Sequence, residues 1–428
     1  MKIAIDGFNI SFLQGTGIST YTRELIGLLR GAGHAVYPFC GLNDAQPPKR
    51  FARRRTNRGE VGRKDFADWL PWVLRYLPRH LAGKPVHLEE IPLDRLDPTI
   101  IARLPSSCRL FNAPSLFRAA QAYARFFSRP LDVAFPPDAR TDIFHLTCPL
   151  PLRMPGVPTI VTLHDTIPLA LPGTTDVNLR HYRKMMEMSF AGADLIFAVS
   201  ESAKQDAVRI LGVDPHKIHV TYQAVDIEAG YREKTKEELA AFLDKNYGLK
   251  PGGYFLFYGA VEPKKNVLRL LQAMEAAQTA LPLLVVGHNA WLYRNVETFL
   301  AKRGRGKTGK FRRLPYVPFE TLMFLLKGAR ALIFPSLYEG FGIPVLEAMS
   351  MGIPVITSRC GALAEVGGGA AHYIDPYDIS DIAAAISRLA SDDMYAAKLV
   401  WLGRAQAEKF SPSNYLRRVE EGYARIHR

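Results

Sequence analysis

The chain has 428 residues, of which 48% are hydrophobic and 22% charged, the composition of an ordinary folded protein. This length exceeds what one hydrophobic core usually supports, so we expect two domains. The formal net charge is +14, and no apolar run approaches the ~20 residues of a membrane-spanning helix, so none is predicted.

The N-terminus and the cysteines indicate the compartment. Residues 1–7 have the pattern of a short strand with an early aspartate, not of a secretory signal. The four cysteines have no metal-ligand or redox spacing: Cys40, Cys108, Cys148 and Cys360. We therefore expect a cytoplasmic protein with reduced thiols.

The first half of the chain begins like a Rossmann-like domain. A strand at residues 2–5, a glycine-containing loop at 7–17, an amphipathic helix and a second strand at 34–39 follow in order. From about residue 41 to 130 the sequence becomes basic, proline-rich and aromatic, which predicts an insertion. Regular alternation then returns with four predicted strands, at residues 142–145, 159–163, 194–200 and 218–222.

The second half repeats this alternation after a polar stretch. Residues 226–252 predict a linker and an adjoining helix. The strands predicted beyond it are at residues 254–259, 283–287, 331–334 and 354–357. Because helical patterns fall between them, the sheet should be parallel.

Half of the net charge lies in one basic run. Between Lys49 and Lys64, eight basic residues stand against one acid, Glu60, which makes +7 in sixteen residues. Such density is typical of contact with an anionic partner, namely nucleic acid, anionic lipid or a pyrophosphate. A solvated surface loop explains it equally well.

The tryptophan-containing segment at residues 66–77 follows this run and combines Trp69, Trp72, Arg75 and Tyr76 with apolar residues. These residue types suit a membrane interface. A helix buried against the first domain has the same pattern. Residues 49–77 are therefore a candidate segment for binding an anionic membrane surface. The alternative, a solvated loop followed by a buried helix, remains open.

A glycine turn follows the apolar residues 331–334, which predict a buried parallel strand. Gly340 and Gly342 allow the backbone to approach a ligand closely, and Pro344 suits the first turn of a helix. A helix N-terminus has unpaired N–H groups and a positive dipole end, which favour a phosphate.

Two glutamates flank this turn. Glu339 precedes it immediately, and Glu347 follows eight positions later, one to two turns into the predicted helix. Carboxylates in these places can accept hydrogen bonds from hydroxyl groups. A ligand that has hydroxyl groups beside a phosphate fits both features. A nucleotide-sugar has these groups and is therefore the predicted ligand.

Residues 335–349 resemble the E-x7-E signature of the retaining glycosyltransferases of family 4, and the resemblance extends through residues 348–358, 361–366 and 375–376. It is greatest to mannosyltransferase-like and rhamnosyltransferase-like members that build bacterial surface polysaccharides. The resemblance implies an α/β GT-B fold, in which two Rossmann-like domains with parallel sheets face an interdomain cleft.

With this fold, the domain boundaries can be predicted. Residues 1–225 form the N-terminal acceptor-side domain, with the insertion at about 41–130, and residues 253–410 form the nucleotide-sugar-binding domain. Residues 226–252 connect them. The resemblance implies that a final helix at residues 411–428 crosses back to the first domain.

The resemblance also implies roles for residues of the second domain. Glu347 is expected to hold the ribose hydroxyls of the nucleotide, and Glu339 the hydroxyls of the donor sugar. The residues of the turn complete this part of the donor site: Gly340, Phe341, Gly342 and Ile343.

Two lysines are expected to neutralise the leaving diphosphate. Lys265 matches a lysine that the family keeps, whereas Ala260 and Lys264 match positions where many members have arginine. Because Ala260 has no charge, Lys264 must supply the second one or it is missing. Lysine binds phosphate as a point charge, without the bidentate grip of arginine.

The resemblance places three other segments at the cleft. Gly15 and Gly17, before the first helix, form an anion-friendly turn over the donor phosphates, or else a plain loop. His164, at the carboxyl end of a buried strand, should position the sugar or polarise the reacting centre. Tyr316 and Val317 should support the base, although Tyr316 also suits ordinary core.

No Asp-x-Asp tripeptide occurs in the sequence, and other glycosyltransferases use that pair to hold a divalent metal on the diphosphate. We therefore expect neither a metal nor a cofactor. Lysines and a helix end would stabilise the diphosphate instead.

The predicted reaction transfers a hexosyl or deoxyhexosyl unit to a saccharide or lipid-linked acceptor with retention, and the first donor to consider is GDP-mannose. His164, Lys265 and Glu339 are the candidate catalytic residues. The enzyme would be cytoplasmic, or peripheral on the inner face of the cytoplasmic membrane.

Two alternatives remain open. A nucleotide-sugar epimerase shares the GT-B architecture but needs acid/base carboxylates that remove a sugar proton. A nucleic-acid binder is suggested by the basic run alone and lacks a recognisable module, so no nucleic-acid partner is expected.

Overall fold

The computed structural model describes residues 1–9, 17–42, 74–79, 82–92, 108–232, 234–303 and 309–427. Within these residues two α/β domains follow one another along the chain, each built around a mainly parallel sheet. The basic run, both tryptophans at positions 69 and 72, and Gly15 lie outside the described residues.

The first domain contains an eight-stranded sheet and a small three-stranded sheet within the described residues. Its strands are β1 (Lys2–Asp6), β2 (Ala35–Cys40), β3 (Val86–His87), β4 (Glu89–Ile91), β5 (Leu110–Asn112), β6 (Leu131–Ala134), β7 (Ile143–Leu146), β8 (Leu152–Arg153), β9 (Thr159–Leu163), β10 (Leu195–Ala198) and β11 (Ile218–Val220). The large sheet has the order β11-β10-β9-β7-β1-β2-β5-β4, in which only β4 is antiparallel to its neighbour, β5. Strands β7, β9 and β10 are buried along their whole length, as continuous apolar runs in a covered parallel sheet should be.

The helices of the first domain cover both faces of the large sheet. They are α1 (Gly17–Gly31), α2 (Leu116–Phe127), α3 (Ile167–Ala170), α4 (Leu179–Ala191) and α5 (Glu201–Leu211). Residues 74–79 are also helical, and Tyr76 is buried there against the core of the domain. The part of the tryptophan-containing segment that is described thus packs onto the first domain at Tyr76, while Leu74 is exposed.

The second domain contains a six-stranded parallel sheet with the order β14-β13-β12-β15-β16-β17. The strands are β12 (Phe255–Tyr258), β13 (Leu283–Val286), β14 (Phe311–Leu314), β15 (Ala331–Phe334), β16 (Val355–Ser358) and β17 (His372–Ile374). The helices from the connection onward are α6 (Ala229–Arg232), α7 (Lys236–Tyr247), α8 (Val267–Ala276), α9 (Arg294–Lys302), α10 (Phe319–Lys327), α11 (Ile343–Ser350), α12 (Leu363–Gly367), α13 (Ile379–Ser391) and α14 (Asp393–Glu408).

The last helix, α15 (Pro412–Ile426), packs on the first domain. Tyr415, Val419 and Tyr423 are buried in a core with residues of β1 and β10. The Tyr423 hydroxyl lies 2.8 Å from His145 Nδ1, whose Nε2 lies 2.9 Å from the Thr162 hydroxyl. His145 is therefore a core residue of the first domain rather than a cleft residue.

The carboxyl ends of the two sheets face each other. His164 follows β9 directly and Glu339 lies five residues beyond β15, and the two domains touch between these segments. Farther along the interface, the Trp291 indole N–H donates a 2.7 Å hydrogen bond to the Thr174 carbonyl oxygen. None of the helices that the structure describes has the length and hydropathy of a transmembrane segment.

Candidate active site

The glycine turn after β15 contacts the end of β9 across the cleft. A Cβ atom at Gly340 would lie 2.1 Å from the His164 carbonyl oxygen and 2.8 Å from Asp165 Cβ, so a larger residue would force the domains apart. On the other side, the Ser200 hydroxyl donates a 2.7 Å hydrogen bond to the Gly340 carbonyl oxygen. The close approach thus fixes the turn at the place where both sheets end.

The second glycine of the turn sets the start of α11. Gly342 has φ 109°, a conformation that glycine tolerates, and its Cβ position lies 2.7 Å from Leu363 Cδ2. Helix α11 begins at Ile343 with Pro344 in its first turn. The Phe341 side chain is buried in the core of the second domain, so only its backbone can line the cleft.

Lys265 and Glu339 form an ion pair beside this turn. Lys265 Nζ lies 2.6 Å from Glu339 Oε1, and Glu339 is only 7% exposed. Burial of Glu339 favours its neutral form, but the ammonium groups of Lys265 and Lys264 outweigh this effect, so the pKa of Glu339 is lowered. The two residues that sequence reasoning assigned to the diphosphate and to the donor sugar are therefore in direct contact.

Lys264 supplies a second charge at the same place. Its Nζ lies 3.5 Å from Glu262 Oε1, and its carbonyl oxygen accepts a 2.7 Å hydrogen bond from Leu337 N–H. Burial favours the neutral amine, but the carboxylates of Glu339, Asp165 and Glu262 raise the pKa of Lys264 above its usual range. Two ammonium groups thus meet at the cleft.

Glu262 is a charged residue that sequence reasoning overlooked. It is buried, and burial raises the pKa of its carboxyl group despite the nearby lysines. Its place directly before Pro263 in the turn after β12 was visible in the sequence, but its contact with Lys264 requires the folded turn.

Glu347 lies on α11 and accepts a short hydrogen bond from the Tyr258 hydroxyl, which also lies 3.2 Å from the Pro344 carbonyl oxygen. Tyr258 ends β12 and was missed from the sequence, where it reads as one more apolar strand residue. Burial raises the pKa of Glu347 to about 7, against the lowering effect of the Tyr258 hydrogen bond. The carboxyl group is therefore held in one orientation and desolvated.

Glu24 on α1 is a second overlooked carboxyl group near Glu347. It is partly buried and makes no hydrogen bond with the residues that the structure describes. Burial first, and then the charges of Glu347 and Asp226, raise the pKa of Glu24 to about 8, while Arg23 lowers it. Glu24 lies three positions after Tyr21 and four before Leu28, so helical periodicity places it beside the apolar face of α1, and this is the sequence signal that could have identified it.

His164 is held by hydrogen bonds at both ring nitrogens. Nε2 lies 2.8 Å from the Thr147 carbonyl oxygen, and Nδ1 lies 3.1 Å from Gln223 Nε2. A carbonyl oxygen can only accept, so Nε2 carries the proton and Nδ1 accepts from the amide. Burial lowers the pKa of His164, which agrees with this neutral form.

The remaining predicted site residues occupy different environments. Tyr316 follows β14 and is 76% exposed, so it is not a core residue. Val317 is partly buried against the core of the second domain, as is Ile343. Gly17 begins α1, and nothing lies within 4 Å of its Cβ position.

The cleft residues show no metal-ligand set. In the part of the chain that the structure describes, no three His, Cys, Asp or Glu side chains come together in a way that could hold a metal ion.

Two family models match the chain. The model described as Glycosyltransferase Family 4 matches residues 84–229, and that described as Glycosyl transferases group 1 matches residues 242–405. O-antigen chain mannosyltransferase B of Escherichia coli is 35% identical over 260 residues, which cover 60% of this chain and 67% of that relative. The chain belongs to glycosyltransferase family 4.

Other relatives of this glycosyltransferase are longer than the region they share with it. The serotype-specific mannosyltransferase WbdA of Escherichia coli is 29% identical over 282 residues, or 63% of this chain. The chain spans only 33% of the length of that relative.

Solved structures show the same fold over the whole chain. Sucrose-phosphate synthase from Thermosynechococcus elongatus superimposes with a TM-score of 0.69 at 17% identity, covering 99% of this chain and 98% of that one. Anabaena HepE in complex with UDP and glucose has a TM-score of 0.67 at 15% identity and full coverage of both chains. The family 4 enzyme thus has the GT-B fold predicted from its sequence.

Proposed function

We propose that this protein is a retaining hexosyltransferase that moves mannose from GDP-mannose to a saccharide hydroxyl. The contact between Lys265 and Glu339 beside the Gly340 turn carries this proposal. It places a partly buried ammonium group, a buried carboxylate and the start of a helix at one point in the cleft. That combination fits a sugar diphosphate, which presents negative charge and hydroxyls together.

The diphosphate would bind to the positive elements of the site. Lys265 and Lys264 neutralise its charge, and the backbone N–H groups at the start of α11 donate hydrogen bonds to it. Binding exchanges the Lys265–Glu339 ion pair for a lysine–phosphate contact. Glu339 is then available to accept hydrogen bonds from hydroxyls of the donor sugar.

Transfer breaks the bond between the sugar anomeric carbon and the diphosphate oxygen. The acceptor oxygen bonds to that carbon from the same face, and its proton passes to the departing phosphate oxygen. Lysine charge stabilises this departing group in the transition state, where its negative charge is greatest. His164, which is neutral and hydrogen-bonded at both ring nitrogens, positions the sugar. If its side chain contacts the sugar directly, the sugar replaces one of these two hydrogen-bond partners.

The nucleoside would bind near Glu347, whose carboxylate accepts hydrogen bonds from the ribose hydroxyls. Tyr258 orients that carboxylate. Exposed Tyr316 and the backbone at Val317 would support the base. The mannosyltransferase names of two relatives favour mannose as the sugar, and the UDP and glucose of one structural neighbour make UDP-glucose the second donor to test.

The two lysines also lead us to propose a reaction without a metal or other cofactor. They supply the positive charge that a divalent cation would bring to the diphosphate. Activity should therefore persist in excess EDTA. Complete loss in EDTA with recovery on adding magnesium or manganese would contradict this part of the proposal.

A donor screen tests the function as a whole. Thermal unfolding is measured with GDP, UDP, dTDP and ADP, because a ligand at ~100 times its dissociation constant stabilises by about 2.7 kcal/mol. The stabilising nucleotide identifies the sugar donors to offer with α-mannoside acceptors. We expect GDP to stabilise and GDP-mannose to give an α-linked product, whereas a donor converted without any acceptor would indicate an epimerase.

A further inference from the structure

A cavity of about 410 Å³ opens in the first domain at a place that the donor site does not use. It is bounded by the first residues of β3 and β6, by Arg153 of β8 and by the helical residues 74–79, of which Tyr76 forms one wall. This volume is within the range of small-ligand sites, so the cavity can enclose a chemical group instead of merely touching a flat surface.

The cavity is strongly positive. Arg153 donates two hydrogen bonds of 2.8 Å to the carboxylate of Asp132, so these two charges compensate each other. Lys84 and Arg129 also line the cavity, and neither forms an ion pair with any residue in the described part of the chain. Two positive charges therefore remain available for a ligand.

A short segment of chain connects the cavity to the cleft. Beyond β7, the Thr147 carbonyl oxygen contacts His164 Nε2, and the chain then reaches β8 at Leu152. Because β3 and β8 both run parallel to β6, all three strands begin at the same end of the small sheet. Thr147 and Leu152 are five positions apart, so their Cα atoms are separated by at most about 18 Å.

We propose that this cavity binds the phosphate group of a phosphorylated saccharide acceptor while the acceptor hydroxyl lies near His164. Arg129 binds the phosphate through paired N–H groups and Lys84 as a point charge. An acceptor of a few sugar units can bridge the distance to His164. This inference rests on the proposed function, and it identifies the acceptor of the proposed reaction as a phosphorylated saccharide.

The test compares two acceptors with the same glycan. One is octyl α-mannobioside, which is neutral, and the other is α-mannobiose 1-phosphate; GDP-mannose is the donor. The variant Lys84→Gln/Arg129→Gln removes both unpaired charges. The matched control, Arg140→Gln/Lys236→Gln, removes the same charge at exposed positions outside the cavity lining.

For the wild type and the control we expect a KM for the phosphorylated acceptor about tenfold lower than for the neutral one. The Lys84→Gln/Arg129→Gln variant should lose this difference, with kcat and the KM of the neutral acceptor unchanged. Equal acceptor preference in the variant and the wild type would overturn the inference.

Further binding measurements distinguish a phosphorylated acceptor from a lipid headgroup or free phosphate. They also test the inference separately from the proposed function. Calorimetric titration of α-mannobiose 1-phosphate without donor should show binding that the cavity variant loses and the control keeps, independently of turnover. If the variant instead loses only co-sedimentation with phosphatidylglycerol vesicles, or only stabilisation by inorganic phosphate, the cavity is not an acceptor site. Failure of transfer to both acceptors by the wild type would contradict the proposed function, while the calorimetric result would still decide the inference.

Discussion

The Tyr338 hydroxyl of the second domain donates a 2.5 Å hydrogen bond to Asp206 Oδ2 on helix α5 of the first domain. At the same interface, the Glu365 carboxylate accepts hydrogen bonds of 2.8 Å and 2.7 Å from the N–H groups of Glu201 and Ser202, at the start of α5. A carboxylate at a helix N-terminus is favoured by the unpaired N–H groups and the dipole. These contacts hold the two domains together on one side of the cleft.

Glu365→Ala should favour an open arrangement of the domains. Loss of the charged acceptor at the start of α5 should raise the free energy of the closed arrangement, relative to the open one, by about 1–2 kcal/mol. Small-angle X-ray scattering without donor should show a larger radius of gyration, and the donor KM should rise. Arg404→Ala, also on the second domain, serves as the control variant. If the Glu365→Ala variant gave the same scattering curve as the wild type, Glu365 would not control closure of the domains.

Lys265→Ala should lower kcat by at least ~100-fold, by analogy with the loss of one oxyanion-hole donor. The same variant leaves buried Glu339 without its partner, so thermal stability should fall as well. Lys265→Gln/Glu339→Gln removes both charges and should restore stability without restoring kcat. Near-normal turnover of Lys265→Ala would disprove its role in stabilising the leaving group.

Glu347→Ala should weaken nucleotide binding, because a charged acceptor of ribose hydroxyls contributes roughly 1.5–3 kcal/mol. Tyr258→Phe should have a smaller effect, about 0.5–1.5 kcal/mol, since it keeps the Glu347 carboxylate and removes the hydroxyl that orients it and contacts the Pro344 carbonyl oxygen. Calorimetric titration with the diphosphate found in the donor screen measures both. If Tyr258→Phe weakened binding more than Glu347→Ala, the order of these roles would be reversed.

Glu24→Gln should change the pH dependence of stability. The folded-state pKa of Glu24 is raised from 4.5 to about 8, so its contribution to stability is full below about pH 4.5 and is lost as the pH rises through about 8. The neutral variant should melt like the wild type at pH 4 and be more stable at pH 9, by about 1–2 kcal/mol after allowance for partial exposure. A variant that gained no stability at pH 9 would show that Glu24 is solvated.

The basic run should attach the enzyme to anionic membranes, a prediction that concerns residues outside the described part of the chain. Each lysine or arginine near such a surface contributes about 1 kcal/mol, and salt weakens the attraction. Reversing the charge of Arg53, Arg54 and Arg55 to glutamate should reduce co-sedimentation with anionic vesicles at low salt. Transfer to octyl α-mannobioside should stay near normal, and unchanged sedimentation would mean that the run is a solvated loop.

Local sequence was sufficient to place the elements on which the donor site is built. The apolar run at residues 331–334 predicts a buried strand, and Gly340, Gly342 and Pro344 predict a turn into a helix. The structure has both, as β15 and α11. These predictions succeed because an apolar run, a glycine-containing turn and a proline in the first turn of a helix are signals of the local sequence.

Only the tertiary structure decided which side chains meet. Lys265 and Glu339 are 74 positions apart, Gln223 and His164 are 59 apart, and Tyr258 and Glu347 are 89 apart. No local pattern encodes such pairs, because each joins segments at or beyond the carboxyl ends of two different strands of one sheet. The unpaired charges of Lys84 and Arg129 became a candidate site for the same reason: three short strands begin side by side and leave a cavity between them.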